Sequence, residues 1–241
     1  MNNTFRDYQL KIDPEIFEAH PDYIGLVIYA ENFVNAPSNE HSIKLLREAE
    51  KLARLRFADI DLAGDPHISA WRETFRDFGA KPKKHFCSAE ALLRRVLSGE
   101  SIPAINEVVD IYNALSIKYA IPVGGEDWSK ITGDLKLIRS KGCEPFATLT
   151  SNGEQVDFPS VGEIVWADSS GATVRRWNWR QCFRTRITTD TTDAYFVLDR
   201  LLPLDTEILM RAGEELVAHM KLLFPEVTIS TEVLKGEVKN I

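Results

Sequence analysis

PAINEVVDIYNALSIKYAIP, residues 103–122, has the apolar periodicity of an α-helix. Pro103 suits the first helical position, because its missing amide proton would have no partner there. At about 100° per residue, one face of this helix is apolar and borders a narrow polar stripe. The apolar face holds Ile105, Val108, Val109 and Tyr112, and the stripe holds Asn106, Asp110 and Asn113. We expect the stripe to face the PVGGED segment, residues 122–127, or to hydrogen-bond the backbone of neighbouring loops.

The segments around this helix predict an α+β fold. Further helices are indicated after Ser38, which could cap the first of them, from His67 to Gly79, and from Ser88 to Gly99. A last helix is expected after Asp205. Strands are indicated at 24–33, 135–139, 164–168, 173–186 and 195–198. Helices therefore precede and follow a mostly antiparallel or mixed β middle, without regular β-α-β alternation.

Composition limits the function classes. The chain has 241 residues, 44% of them hydrophobic and 27% charged, and its net charge is −7, which is typical of a globular protein that needs no disulfide or metal to fold. Cys87, Cys143 and Cys182 form no C-x-x-C pair, and the histidines form no zinc motif. No apolar run is long enough for a membrane span. We expect a single cytoplasmic domain, residues 1–241, with no metal and no cofactor.

An arginine-rich segment interrupts this acidic chain. ATVRRWNWRQCFRTRI, residues 172–187, has five arginines and no acid. If it is one extended strand, its two-residue period places Arg176, Arg180 and Arg184 on a cationic face and the tryptophans on the other. Arginine forks bind phosphate and aromatic rings stack on bases. The same pattern also fits an amphipathic strand with its aromatics in the core.

The ordered motifs resemble a known family. Asn106, Val108, Val109, Asp110 and Asn113, followed by Pro122, Asp127, Gly133, Arg139 and Glu144, fall at the spacings of the B3/B4 domain of the bacterial phenylalanyl-tRNA synthetase β subunit. ITTDTTDAYFV, residues 187–197, is similar to a later motif of that domain. The resemblance covers about residues 70–200 and extends to the free-standing members of the family. It implies the B3/B4 editing-domain architecture, with additional elements on both sides of this core.

The resemblance implies a pocket, and the chain departs from the family inside it. Where the synthetase domain has a threonine, a histidine, an alanine and a tyrosine-selecting glutamate, this chain has Tyr112, Gly124, Trp177 and Val197. The family domain hydrolyses tyrosine mischarged onto a tRNA. Because Trp177 fills an alanine position and Val197 cannot hydrogen-bond a phenol, we expect no tyrosine specificity.

Position matching also assigns site residues. Substrate binding is expected at Asn113, Gly124, Trp177 and Val197, in a pocket that Trp177 makes shallow. Asp127 and Asn178 are the candidate catalytic groups, because an aspartate or an amide can hold a water molecule. Alternatively, Asp127 ties its own glycine-containing loop by accepting backbone amides. The predicted pocket is lined by the four substrate-binding residues together with Asp127 and Asn178.

Three functions remain open at this point. The first is a stand-alone deacylase that hydrolyses a mischarged tRNA, with tRNA and a small amino-acid moiety as its partners. The second is a noncatalytic module that binds tRNA or another RNA, with Arg176, Arg180 and Arg184 on phosphates. The third is a protein that binds a small amino-acid-like molecule without RNA. The sequence does not indicate the oligomeric state.

Overall fold

The computed structural model describes residues 8–150 and 153–236. The helices are α1 Pro14–Ala19, α2 Glu40–Arg56, α3 Pro66–Asp77, α4 Ser88–Leu97, α5 Glu107–Tyr119 and α6 Thr206–Leu223. The strands are β1 Leu10–Ile12, β2 Ile24–Glu31, β3 Val123–Asp127, β4 Leu135–Arg139, β5 Phe146–Thr150, β6 Gly153–Asp157, β7 Ile164–Asp168, β8 Gly171–Arg175, β9 Arg180–Gln181, β10 Ala194–Arg200 and β11 Thr228–Lys235.

These strands form two larger sheets and a hairpin. The four-stranded sheet has the order β11-β2-β10-β3 and is antiparallel throughout. The five-stranded sheet has the order β1-β4-β7-β8-β9, in which β1 lies parallel to β4 and the other pairs are antiparallel. β5 and β6 form the hairpin. The predicted α+β class with a mixed β middle is confirmed.

Strand β10 separates two apolar cores. All seven of its residues are buried, and alternate side chains point to opposite faces of the sheet. Phe196 and Leu198 pack with α5 and α6. Tyr195 and Val197 pack on the other side, in a core that contains Trp177 and the five-stranded sheet. The candidate site lies on this second face.

Two helices begin later than predicted. α5 starts at Glu107, and Asn106 is its N-cap, accepting a hydrogen bond from the Val109 amide at 3.0 Å. Pro103 therefore lies before the helix. The N-cap of α2 is Asn39, which forms a capping box with Ser42, whereas Ser38 had been predicted. Both corrections follow from a side-chain carbonyl that reaches the first free amides of the helix.

Two backbone expectations about the site are wrong. PVGGED does not form a loop, because residues 123–127 pair with β10 as strand β3. Residues 173–186 do not form one strand, because Arg176 and Trp177 adopt φ angles of 48° and 63°. This left-handed backbone turns the chain between β8 and β9 and ends the two-residue alternation. The continuous arginine face therefore does not form.

Other elements match the sequence closely. β4 and β7 have the predicted bounds, and Asp205 caps α6 by accepting from the Glu207 amide. α3 ends at Asp77, just before Gly79, which has a φ of 82°. Within the described ranges, every helix is too short or too polar to cross a bilayer.

Candidate functional site

A cavity of about 290 Å³, called the main cavity here, lies against the second face of the four-stranded sheet. Its walls are the start of α4, one side of α5, strands β3 and β10, and the turn after β8. The volume is at the lower end of the range for ligand pockets, so a group of amino-acid size fits. Most of the wall is apolar, and a few polar groups converge on it. These are Ser88, Asn113, Glu126, Asn178, Arg180, Gln181 and Asp199.

Five of the six predicted pocket residues line the main cavity. They are Asn113, Gly124, Trp177, Asn178 and Val197. Gly124 lies opposite Val197 across the β3-β10 ladder, and a side-chain carbon added at Gly124 would meet no atom within 4 Å. Asp127 is absent from the wall. The glycine at position 124 therefore leaves the cavity open where the family has a histidine.

Trp177 closes the inner end of the cavity. Its side chain is fully buried, and its ring meets the rings of Tyr23 and Trp71 edge-on, with centroid distances of 4.9 and 5.4 Å. Such edge-to-face contacts fix an aromatic ring in one orientation. The indole therefore occupies space that a smaller residue would leave open.

Asp199 is the group in this cavity that the sequence analysis missed. Its carboxylate is 3% exposed and accepts hydrogen bonds from the Tyr23 hydroxyl at 2.7 Å and from Asn178 Nδ2 at 2.9 Å. Burial raises the pKa of this carboxyl to about 7, although the hydrogen bonds from Asn178 and Tyr23 favour its ionised form. A carboxyl with such a pKa can accept or donate a proton at neutral pH.

Three buried polar atoms of the wall have no hydrogen bond, namely Asn178 Oδ1, Ser88 Oγ and the Trp177 indole nitrogen. Buried polar atoms are nearly always paired, so each of these is available to a water or a ligand. The backbone also joins Ser88 to Asn178, because the Ser88 amide donates to the Asn178 carbonyl at 3.0 Å. The start of α4 and the turn after β8 thus form one polar corner.

Glu126 is a second buried carboxyl on the same sheet face. It accepts hydrogen bonds from the hydroxyls of Thr173, at 3.0 Å, and of Thr185 and Tyr195. Burial raises the pKa of Glu126, and these hydroxyl donors oppose the rise. Because Thr173 belongs to the five-stranded sheet, Glu126 links the two sheets.

The other predicted polar residues have structural partners. Asp127 accepts from the Ser129 amide at 3.0 Å, the Ser129 hydroxyl at 2.5 Å and the Thr191 hydroxyl at 2.8 Å. This geometry fits the alternative in which Asp127 ties its own segment. Asp110 does not face Gly124, since its carboxylate accepts from Ser42 Oγ and the Ile105 amide. Asn113 is the only residue of the predicted stripe that reaches the main cavity.

The three predicted RNA-binding arginines lie in different places. Arg180 is exposed and lines the main cavity. Arg176 lines a separate cavity, and its guanidinium lies 3.6 Å from Glu163. Arg184 donates to the Lys130 carbonyl at 2.6 Å and pairs with Asp168 at 2.8 Å. Arg184 therefore has a structural role in joining loops, and the three do not form one face.

Cys87 is the N-cap of α4. Burial raises the pKa of its thiol far above the ordinary value, so this cysteine stays protonated. Across residues 8–150 and 153–236, no three His, Cys, Asp or Glu side chains gather in a way that would hold a metal ion.

A family model described as the B3/4 domain matches residues 70–213, which is more than half of the chain. The chain belongs to the B3/4 domain family. This result confirms the resemblance found in the sequence motifs. A solved structure of an N-terminal fragment of the phenylalanyl-tRNA synthetase β subunit from Pyrococcus horikoshii is similar at 14% identity, with a TM-score of 0.46. The match covers 92% of this chain and 50% of that fragment, so the chain spans half of its length. A search of curated proteins gave no match.

The four positions at which this B3/4 domain departs from the synthetase pattern lie together. Tyr112, Gly124, Trp177 and Val197 all line the main cavity. The positions that the sequence analysis matched to the synthetase pocket therefore share one cavity.

Asp199 and Ser88 could have been found from the sequence by one signal each. Tyr195, Val197 and Asp199 alternate along a strand in which every residue is apolar until Asp199, and an acid on the inner face of a strand is a candidate site residue. Ser88 begins a helix that the sequence predicted, but its N-cap Cys87 makes no side-chain cap hydrogen bond. Neither signal stands out without the fold, because both residue types are common at strand and helix ends.

Proposed function

We propose that this B3/4 domain protein binds tRNA and hydrolyses the ester of a mischarged amino acid other than tyrosine. The observation that carries the proposal is the convergence of the four altered family positions on one cavity that also contains Asp199. The family scaffold supports the ligand class, and the buried acid supports the reaction. The amino acid enters the main cavity, while the rest of the tRNA stays outside this cavity.

The size and polarity of the main cavity favour a small or polar amino acid. A volume of about 290 Å³ leaves little room for a large ring beside Trp177, and Val197 offers no hydrogen bond to a phenol. The carboxyls of Asp199 and Glu126 make the interior attractive for the ammonium group of an aminoacyl ester. Arg180 at the wall suits a phosphate or a ribose hydroxyl at the opening.

The hydrolytic water is held by Asn178 and activated by Asp199. The free Asn178 Oδ1 accepts a hydrogen bond from the water. Asp199, which is hydrogen-bonded to Asn178, removes the other proton of the water as the water oxygen attacks the ester carbonyl. The tetrahedral intermediate then expels the ribose oxygen, which takes a proton from Asp199. The products are the free amino acid and the uncharged tRNA. Asp199 ends in its starting state, so proton transfer is balanced.

Ser88 is positioned to stabilise the developing negative charge. Its unpartnered hydroxyl lines the same cavity, at the first residue of α4. A hydroxyl donor at the amino end of a helix favours an oxyanion because the helix dipole is positive there. Asp199 thus takes the role that position matching had assigned to Asp127, and Ser88 adds a donor for the oxyanion.

The decisive experiment is a deacylation assay with a panel of mischarged tRNAs. We expect the protein to release one small or polar amino acid faster than the uncatalysed ester hydrolysis and to leave tyrosyl-tRNA intact. The matched variant is Gly124→Leu, which fills the main cavity from a position with open space and no positive φ. It should keep the melting temperature and lose at least tenfold in rate.

Two results would decide against hydrolysis. tRNA binding without release of any amino acid would favour the noncatalytic RNA-binding module. Absence of tRNA binding at low salt, together with a thermal shift produced by free amino acids, would favour the binder of a small molecule.

A further inference from the structure

A second cavity of about 390 Å³, called the lysine cavity here, lies on the other side of the Arg176–Trp179 turn. Its wall includes Lys81, Lys84, His85, Ser160 and Arg176. The indole of Trp179 lines the main cavity and contacts two residues of the lysine cavity. The Arg176 guanidinium lies 4.3 Å from the Trp179 ring, and the His85 ring meets that ring edge-on at 4.9 Å.

The lysine cavity has an excess of unpaired positive charge. Neither Lys81 nor Lys84 makes a side-chain hydrogen bond or ion pair with any residue that the structure describes. Arg175 pairs with Glu163 and Asp157, each at 2.6 Å, and the Arg176 guanidinium lies 3.6 Å from Glu163. These two arginines and two acids balance in charge, so the excess positive charge comes from the exposed Lys81 and Lys84.

Two buried nitrogen atoms in this cavity have no partner, and His85 Nδ1 is a donor in the tautomer that carries its proton there. One terminal nitrogen of Arg176 and His85 Nδ1 are both buried without a hydrogen bond. Arg176 is also held in a left-handed backbone conformation, with a φ of 48°, which places strain at this position. Burial lowers the pKa of His85, and the charge of Arg176 lowers it further, as expected in a cationic site. An oxyanion would satisfy these groups.

We propose that the lysine cavity holds a phosphate of the tRNA strand whose aminoacyl ester lies in the main cavity. In an aminoacyl-tRNA, the ester on the terminal ribose and the phosphate on the 5′ side of that ribose are separated by one sugar ring. The Trp179 indole lines the main cavity and contacts Arg176 and His85 of the lysine cavity, so the two cavities are neighbours, as this arrangement requires. Trp179 then offers its ring to the sugar or the base between them. This inference rests on the proposed function.

The test compares three neighbouring lysines in tRNA binding. Lys81→Gln and Lys84→Gln each remove a charge from the cavity, whereas Lys83→Gln removes an exposed charge of the same turn that does not line it. We expect each cavity variant to weaken tRNA affinity about tenfold and to reduce the salt slope by roughly one. Lys83→Gln should weaken affinity less than twofold, and all three should keep the parent melting temperature.

Equal effects of the three substitutions would overturn the phosphate site, because they would indicate diffuse attraction. No effect of Lys81→Gln and Lys84→Gln would overturn it as well. Deacylation of the same tRNA separates the two proposals. Lysine-dependent binding without hydrolysis keeps the phosphate site and removes the deacylase, whereas hydrolysis that ignores both lysines keeps the deacylase and removes the phosphate site. A parent protein that binds no tRNA at low salt removes both.

Discussion

Glu126 and Asp199 are buried carboxyls on one face of the same sheet, and their surroundings differ. Three hydroxyls donate to Glu126, two of them from outside its sheet. Asp199 receives one hydroxyl and one amide, and the same amide leaves its own oxygen without a partner. A carboxyl enclosed by donors mainly links parts of the fold, whereas one beside a free acceptor can share a water molecule.

The largest expected effect is the loss of deacylation rate in the Asp199→Asn variant. Because an amide cannot accept the proton of the attacking water, we expect a loss of about 10²- to 10⁴-fold in single-turnover rate. In the parent protein the rate should rise with pH up to about 7, as Asp199 ionises, and then level off. Affinity for tRNA should stay unchanged. A variant with the parent rate and the parent pH profile would show that Asp199 is not the base.

The next effect is on stability, through Glu126→Ala. This change leaves three buried hydroxyls, those of Thr173, Thr185 and Tyr195, without the carboxylate that accepts their hydrogen bonds. We expect a loss of about 2–4 kcal/mol in the free energy of unfolding, measured with denaturant. Glu126→Gln should lose less, because hydroxyls can rotate toward an amide oxygen. A fully stable Glu126→Ala protein that has lost its deacylation rate would reverse the distinction between the two carboxyls.

The pH dependence of stability tests the raised pKa of Asp199 directly. The pKa of Asp199 is about 7 in the folded chain and near its ordinary value of about 4 when unfolded. Between about pH 4 and pH 7, Asp199 is protonated in the folded state and ionised in the unfolded state. The Asp199 contribution to stability is therefore fully present below pH 4 and is lost as pH rises through 7. The stability of the parent relative to Asp199→Asn should therefore fall over this range and stay constant above it. A difference independent of pH would contradict the raised pKa.

The smallest effect is expected from Asp127→Asn. Its carboxylate accepts from the Ser129 amide and the Thr191 hydroxyl, so the change should cost about 1 kcal/mol of stability, as for other capping residues. Deacylation by the folded protein should keep the parent rate. A loss of tenfold or more in rate at unchanged stability would return Asp127 to the reaction.

The sequence predicted those elements whose causes are local. The bounds of β4 and β7, the cap of α6 at Asp205 and the end of α3 before Gly79 follow from patterns within a few residues. The motif order also predicted the family, since it spans most of residues 70–200. Five pocket residues follow from matching positions to that family.

Only the tertiary structure decided which of these residues meet and what they can do. Gly124 and Gly125 became strand residues because β10 pairs with them from about 70 positions away. Arg176 and Trp177 end a predicted strand with left-handed φ angles that no local pattern indicated. Asp199 acquired its raised pKa from burial, and its two hydrogen-bond partners are Tyr23 and Asn178. Burial and distant partners are properties of the packed chain, so the chemistry of this site was not readable from spacing alone.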